Sequence, residues 1–307
     1  MIPAMNNKIL SAVTFVCVLV GAMGCQAGPP MQSPVRQAVA TAGTESAGPI
    51  YFFTAAQLKL KEGDVNSAIR LLERAVELDP ASAYLKLELV NLLLIRKEDQ
   101  RALKLVEQVL ASDPNNIQAL TLAGGIYQKQ NKLDQSVSAY EKAIAQNPTD
   151  QNIYLLLGRI YWNGNDLDSA ERVFRQMTSV IPDSYAAFYF YGKVLSAKGK
   201  LEAAESALLK SLKLEPSLEE PRDELLKIYR AQNKPAKITK TYQSLLAVDP
   251  NNYTAAFGLA EHYRQANQVA LSLKLLKGLG ERLQNDGSVI STLFEMYLEP
   301  KHYKEAL

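Results

Sequence analysis

Proline recurs in this chain at one fixed interval. Six prolines stand 34 residues apart, at Pro80, Pro114, Pro148, Pro182, Pro216 and Pro250. A proline cannot continue an α-helix beyond the first turn, because its ring removes a backbone donor and clashes with the preceding turn. A helix therefore ends before each of these prolines, and the spacing predicts a chain built from a repeated unit of 34 residues.

Other residue types repeat with the same period. Apolar or small residues recur where a first helix must pack, for example Leu157 with Gly158 and Tyr191 with Gly192, and Ala68, Ala102 and Ala170 share one position of a second helix. Gly or Asn fills six of the seven positions between the two helices, and Lys97 fills the seventh. These turn positions are Gly63, Lys97, Asn131, Asn165, Gly199, Asn233 and Asn267. Since Gly and Asn tolerate the left-handed backbone that ends a helix, each unit is predicted to be a pair of amphipathic helices.

The unit over 151–184 carries the most complete pattern. It reads Y-x2-L-G-x2-Y…A-x3-F…P, formed by Tyr154, Leu157, Gly158, Tyr161, Ala170, Phe174 and Pro182. This pattern resembles the tetratricopeptide repeat (TPR). The resemblance implies an all-α fold, a right-handed α-solenoid of about seven and a half helix pairs over residues 49–307. We frame the repeats at 49–82, 83–116, 117–150, 151–184, 185–218, 219–252 and 253–286, with a partial repeat at 287–307.

The residue pattern predicts that the partial eighth repeat stops inside its second helix. Such an end exposes an apolar face, whereas solenoids usually close with a polar cap. We therefore expect the sequence to be a fragment of a longer chain. A native end that is capped by a partner is the alternative.

Residues 1–24 have the parts of an export signal. A polar start that contains Lys8 precedes a mostly apolar run over 9–20 and small residues before Cys25. The apolar run is shorter than the roughly 20 residues that a membrane-spanning helix needs. The ending Ala-Met-Gly-Cys resembles a bacterial lipoprotein signal, which implies that Cys25 becomes the lipidated first residue. Gln26 after the cysteine favours the outer membrane over the inner one by the same resemblance, and an ordinary cleaved signal is the alternative.

The segment that follows the signal has the composition of a linker. Residues 25–48 comprise the predicted lipidated cysteine and a stretch that is rich in Ala, Gly, Pro, Ser, Thr and Gln. Such a stretch buries too little apolar surface to offset the entropy of ordering it. It is predicted to be a disordered, flexible tether between the lipid and the solenoid.

Charge and histidine content exclude several kinds of function. A net charge of +2 lacks the strongly basic character of a nucleic-acid-binding domain. The two histidines, His262 and His302, fall in different repeats and have no Cys or acidic cluster at metal-ligand spacing. We find no catalytic constellation, metal site or cofactor motif, and we do not expect an enzyme.

The TPR resemblance implies that the fifth, ninth, twelfth and thirteenth residues of each repeat line a concave groove. Arg159, Lys193 and Lys227 occupy the ninth position in three consecutive repeats and form a basic ladder. Exposed aromatic and Arg residues together are typical of binding hot spots. The predicted groove site comprises Asn91, Arg159, Trp162, Tyr189, Lys193, Lys227, Arg230, Phe257 and Arg264, with Phe53 at the entrance.

A purely structural interpretation stands beside this one. Lysines and arginines are common on solvated helix faces, and Asp223 precedes Lys227 by four residues, the spacing of an intrahelical ion pair. Trp162 would then pack against the next repeat instead of facing solvent.

Three functions follow from the resemblance to bacterial TPR lipoproteins. The first is an envelope-anchored scaffold that binds protein partners of the cell envelope in the groove. The second is a scaffold for exopolysaccharide assembly or export that holds an anionic glycan by charge and by stacking on Trp162. In the third, the repeats are the recruitment half of a longer enzyme.

Overall fold

The structure is a computed structural model that describes residues 47–282, and this part of the chain contains fourteen α-helices and no strand. Seven of them open a repeat: α1 (Pro49–Lys61), α3 (Ala83–Ile95), α5 (Ile117–Lys129), α7 (Gln151–Asn163), α9 (Tyr185–Ala197), α11 (Glu220–Ala231) and α13 (Tyr253–Gln265). The other seven close a repeat: α2 (Val65–Leu78), α4 (Asp99–Ser112), α6 (Leu133–Gln146), α8 (Leu167–Val180), α10 (Leu201–Leu214), α12 (Pro235–Val248) and α14 (Val269–Arg282).

The helices follow one another as a solenoid. Each helix packs against the next along the chain, from α1 to α14, and α9 also contacts α11. The predicted all-α solenoid is therefore confirmed, with seven helix pairs in the described part of the chain. The predicted signal over 1–24, Cys25, the tether up to residue 46 and the partial repeat at 287–307 lie outside the described residues. No helix within 47–282 combines the length and the apolar character that crossing a bilayer requires.

The seven turn positions adopt the backbone conformation that their residue types predict. All seven have positive φ, from 51° at Asn233 to 81° at Gly63, and Lys97 has φ 62°. In each case the next residue donates a backbone hydrogen bond to the carbonyl five residues before it, as Glu98 does to Leu93 at 2.8 Å. This pattern satisfies carbonyl groups at the end of the first helix. The predicted left-handed turns are confirmed, including the one formed by lysine.

Small residues on the first helices leave room for large side chains on the second helices. A Cβ atom built at Gly158 would lie 2.2 Å from Cζ of Phe174, and one at Gly124 would lie 2.7 Å from the Tyr140 ring. The same relation, sixteen residues apart, joins Gly192 to Leu208. Because no Cβ intervenes, each large side chain packs directly on the backbone of the preceding helix.

The start of α11 is irregular. Of the helices that open a repeat, α1 and α11 have no side-chain cap, and the other five are capped by Ser82, Asn116, Asp150, Ser184 and Asn252. In the turn before α11, the buried Arg222 side chain donates hydrogen bonds to the carbonyls of Pro216 and Leu218. Pro221 lies in the first turn of α11 and Pro235 begins α12, where no helical donor is lost, as predicted.

Candidate functional site

A cavity of about 570 Å³ opens between α7 and α9. Its walls are mainly apolar and are formed by Leu155 and Leu156 of α7 and by Phe190 and Val194 of α9. Phe174 reaches the same cavity from α8, because its ring lies over the bare backbone of Gly158. Phe174 and Phe190 stack with ring centroids 5.4 Å apart and planes 16° apart. The packing rule of the repeat therefore also builds an aromatic surface inside the cavity.

Three of the predicted site residues line this cavity together. Arg159 and Trp162 come from α7, and Lys193 comes from α9. The Lys193 Nζ lies 5.2 Å from the centroid of the Trp162 ring and 5.9 Å from that of Tyr189, within the range of cation–π attraction. Trp162 is half-buried and packs against the core, so its ring both supports the repeat and faces the lysine.

Arg159 and Lys193 carry charges that no carboxylate of the described chain compensates. Arg159 is exposed and Lys193 is half-buried. Within residues 47–282, neither side chain forms an ion pair, whereas Lys198 and Lys227 do. Two unpaired cations therefore stand beside apolar walls in one cavity, a lining that is chemically suited to ligands with both apolar and anionic groups.

The charge of the surface changes from positive to negative beyond Tyr189, on the side of α11. Burial, together with the carboxylates of Glu224, Glu220 and Asp223 on α11, raises the pKa of Tyr189 to about 12. Burial and the surrounding carboxylates, Glu219 foremost, also raise the pKa of Asp223 above its ordinary value. Glu220 and Asp223 form no ion pair within the described chain. Because α11 contacts α9, an acidic patch at the start of α11, formed by Glu219, Glu220, Asp223 and Glu224, adjoins the basic cavity.

Lys227 belongs to this acidic patch and not to a continuous basic track. Its Nζ donates to Glu224 Oε1 at 2.8 Å, so its ion-pair partner is Glu224, three residues before it, instead of Asp223. Of the three residues in the predicted ladder, only Arg159 and Lys193 present uncompensated charge.

The remaining predicted residues do not join the cavity between α7 and α9. Arg230 donates to the Tyr242 hydroxyl at 2.7 Å and lines a second cavity, of about 590 Å³, with Glu261 and His262. Arg264 donates from Nε to Glu261 at 2.7 Å, which compensates its charge.

Three further predicted residues lie elsewhere on the first helices. Phe257 packs at a tilt on Tyr253, with centroids 6.3 Å apart, and Phe53 packs edge-on against Tyr84, 5.5 Å away. Asn91 is half-buried on α3 and lines neither of the two cavities.

The described residues show no metal-binding arrangement. No group of three or more His, Cys, Asp or Glu within 47–282 is placed to hold a metal ion. His262 is half-buried, and its Nε2 lies 3.1 Å from the Pro235 carbonyl. Cys25 and His302 lie outside the described residues.

Sequence reasoning missed the apolar walls and the acidic patch. Leu155 occupies a fifth position, which the resemblance assigns to the groove, so its role was readable from the sequence. Phe174 carried no such signal, because it belongs to a second helix and reaches the cavity only across Gly158. The carboxylates at the start of α11 were also visible as a run of acidic residues, but their closeness to Tyr189 depends on how α9 and α11 pack.

Comparisons with known proteins agree with this architecture. A family model described as tetratricopeptide repeat matches residues 59–126 and 127–187, and a second one with the same description matches 185–218, which together cover just over half of the chain. Among solved structures, the C-terminal part of a TPR repeat-containing protein from Cytophaga hutchinsonii aligns with TM-score 0.61 and 17% identity, over 78% of this chain and 98% of that one. A tetratricopeptide repeat protein from Parabacteroides merdae aligns with TM-score 0.51 and 16% identity, over 81% and 98%. Comparison with curated proteins gave no match.

Proposed function

Because the chain belongs to the tetratricopeptide repeat family, whose repeats are protein-interaction scaffolds, we propose that it is an envelope-anchored scaffold that binds a partner polypeptide in the cavity between α7 and α9. The observation that carries this proposal is the combination of apolar walls with two uncompensated cations in one cavity. Repeats of this family generally act by binding and not by catalysis.

The cavity has the size and lining of a binding site. Its volume of about 570 Å³ is within the usual range for ligand pockets. An apolar side chain of a partner that enters between Leu156 and Phe190 leaves water, which is worth about 1.5–3 kcal/mol for a fully buried Leu or Phe. Arg159 and Lys193 then pair with a carboxylate at the edge of the same contact. Trp162 supplies the half-buried aromatic surface on which hot spots are commonly built.

A polypeptide suits this surface better than an anionic glycan does. A polyanion that follows the first helices would pass from Lys193 directly onto Glu220 and Asp223, where like charges repel it. A polypeptide can change the sign of its charge from one residue to the next. The acidic patch therefore favours the protein-binding scaffold over the exopolysaccharide scaffold.

The membrane anchor is a separate part of the proposal and is supported by the sequence of residues 1–25. Lipidation at Cys25 would hold the solenoid at a bacterial membrane, with the outer membrane favoured by Gln26. In cells given labelled palmitate, we expect the wild-type chain to incorporate label and to sediment with membranes. The Cys25→Ser variant should do neither, and label retained in that variant would overturn the anchor.

The binding site is tested with two charge reversals of equal size. The Arg159→Glu/Lys193→Glu variant reverses the charge of the cavity, and Lys142→Glu/Arg175→Glu reverses two exposed cations on the second helices α6 and α8. In pull-downs from solubilised envelope, we expect the first variant to retain at least about tenfold less of the partner polypeptide, since each 1.4 kcal/mol is tenfold in affinity. The second variant should retain as much as the wild type. Equal retention by both variants, or retention of polysaccharide alone, would contradict the proposed function.

A further inference from the structure

We propose that the groove selects a segment of mixed charge. An apolar side chain of the segment enters the cavity between α7 and α9, a carboxylate of the segment lies beside Arg159 and Lys193, and a Lys or Arg of the segment lies over the acidic patch of α11. This inference rests on the proposed function, because it specifies the partner of the same site.

The basic half of the site is fixed to rigid structure. Lys193 is held over two rings, at 5.2 Å from the Trp162 centroid and 5.9 Å from the Tyr189 centroid. Its ammonium group keeps all its donors available for a ligand, because no carboxylate of the described chain pairs with it. Arg159 stands on α7, the first helix of the preceding repeat, and lines the same cavity. A carboxylate at this point meets two cations at once.

The acidic half lies one helix further along. Helix α11 packs against α9, and burial, together with the carboxylates of Glu224, Glu220 and Asp223, disfavours the phenolate of Tyr189 on α9. The Lys227 ammonium forms an ion pair with Glu224 and also attracts the Asp223 carboxylate, and Glu219 accepts a hydrogen bond from Asn252 at 2.9 Å. Residues 219–227 hold four carboxylates and only two cations, Arg222 and Lys227. The net charge at the start of α11 is therefore negative, and a cation from a partner is attracted there.

The spacing of the two halves sets the spacing of charges in the ligand. Neighbouring packed helices lie about 8–10 Å apart. An extended chain advances about 3.3 Å per residue. The carboxylate and the cation of a bound extended segment should therefore stand about three residues apart, with the apolar anchor close to the carboxylate.

Charge complementarity of this kind decides which segments bind. An acidic segment is attracted to the cations of α7 and α9 and repelled by the carboxylates of α11. A basic segment is repelled at α7 and α9 and attracted at α11. Only a segment that carries both signs is attracted along its whole length. The site discriminates between ligands by the sign of their charge at two places. Reversing the charge of either half of the site should therefore change the preferred ligand in a predictable way.

The test uses a phage-displayed library of random 12-residue peptides, selected on the immobilised protein. Three baits are compared: the wild type, the Arg159→Glu/Lys193→Glu variant and a Glu220→Lys/Asp223→Lys variant. A fourth bait, Leu155→Asp, places a charge in the apolar wall and identifies peptides that bind outside the cavity. Far-UV circular dichroism and the melting temperature confirm that each bait is folded. Most of the reversed side chains are exposed, and Lys193 is half-buried.

We expect the wild type to enrich peptides with an apolar residue, an acidic residue and a basic residue about three positions from the acidic one. The first reversal should select basic residues at both places, and the second should select acidic residues at both, with preferences that change by about tenfold. Peptides whose charge pattern is the same for all three baits would overturn the mixed-charge inference and leave the binding site intact. If the wild type enriches nothing that the Leu155→Asp bait does not also enrich, the proposed function itself fails.

Discussion

At the scale of single residues, the packing of the repeat depends on positions that are occupied by glycine, which has no side chain. Gly158 was recognisable from the sequence as part of the repeat signature, and the structure gives the physical reason. Phe174 occupies the space that a Cβ atom at this position would need. The sequence did not show that the same ring would then face the cavity, because that outcome depends on the relative placement of three helices. Lys97 is the opposite case. Lysine is poorly suited to positive φ, but Lys97 adopts this conformation because both flanking helices require the turn.

We predict that Gly158→Ala destabilises the protein. The added Cβ would lie 2.2 Å from Phe174 Cζ and 2.7 Å from two other atoms of that ring, so the ring must move. Overpacking of this kind costs about 1–3 kcal/mol. The change in the free energy of unfolding is measured by urea denaturation.

Gly125→Ala is the matched control for this prediction. Gly125 also lies in a first helix, but a Cβ there would meet only the Tyr140 hydroxyl, at an ordinary contact distance of 3.6 Å. Replacing a helical Gly by Ala normally stabilises by about 0.5–1 kcal/mol. The packing account is contradicted if both variants shift the urea midpoint in the same direction by the same amount.

At the scale of helices, ion pairs link successive repeats on the side of the turns. Glu171 of α8 accepts hydrogen bonds from Lys198 and from Lys200, the latter at 2.8 Å and 2.9 Å, and it is only 13% exposed. Its partners lie 27 and 29 residues further along the chain. Sequence alone could not pair them, because one repeat offers several acidic and basic residues and only the packing of the helices selects among them. The same limit applies to Lys227, whose partner proved to be Glu224.

We predict that the Glu171 network stabilises the protein in a pH-dependent way. Hydrogen bonds from Lys198 and Lys200 hold the pKa of Glu171 below its ordinary value. Since the folded pKa lies below the unfolded value of about 4.3, the stabilisation is complete above that value and disappears as the pH falls through the folded pKa. At pH 7, Glu171→Gln should lower the free energy of unfolding by about 1 kcal/mol.

The pH series provides the check on this prediction. The difference between wild type and Glu171→Gln should shrink as the pH falls below about 4.3. Glu77→Gln serves as the control, because Glu77 is 62% exposed and pairs with Arg74 within one helix, an arrangement worth only a few tenths of a kcal/mol. A difference for Glu171→Gln that is constant from pH 7 to pH 3 would exclude the ion network as its source.

At the scale of the whole molecule, periodicity made the fold predictable and left the binding surface only partly so. Repeated prolines, turn residues and small packing residues each constrain every repeat, so the solenoid follows from the amino-acid sequence alone. The groove is less regular. Arg159, Trp162 and Lys193 do come together, but the track of basic residues is interrupted at α11 by carboxylates whose effect depends on their distance from Tyr189. The proposed function therefore depends on features that differ between repeats and not on those that repeat.

The most direct test of the central claim is site-specific photocrosslinking with the protein in its native host. A benzoylphenylalanine in place of Asn152 lies at the edge of the cavity, and one in place of Arg175 lies on the exposed surface of α8. We predict one discrete polypeptide adduct from the Asn152 position, its loss when Arg159 and Lys193 are also changed to Glu, and no such adduct from the Arg175 position. The same adducts from both positions, or an adduct at Asn152 that survives the charge reversal, would contradict the assignment of this cavity as the partner site.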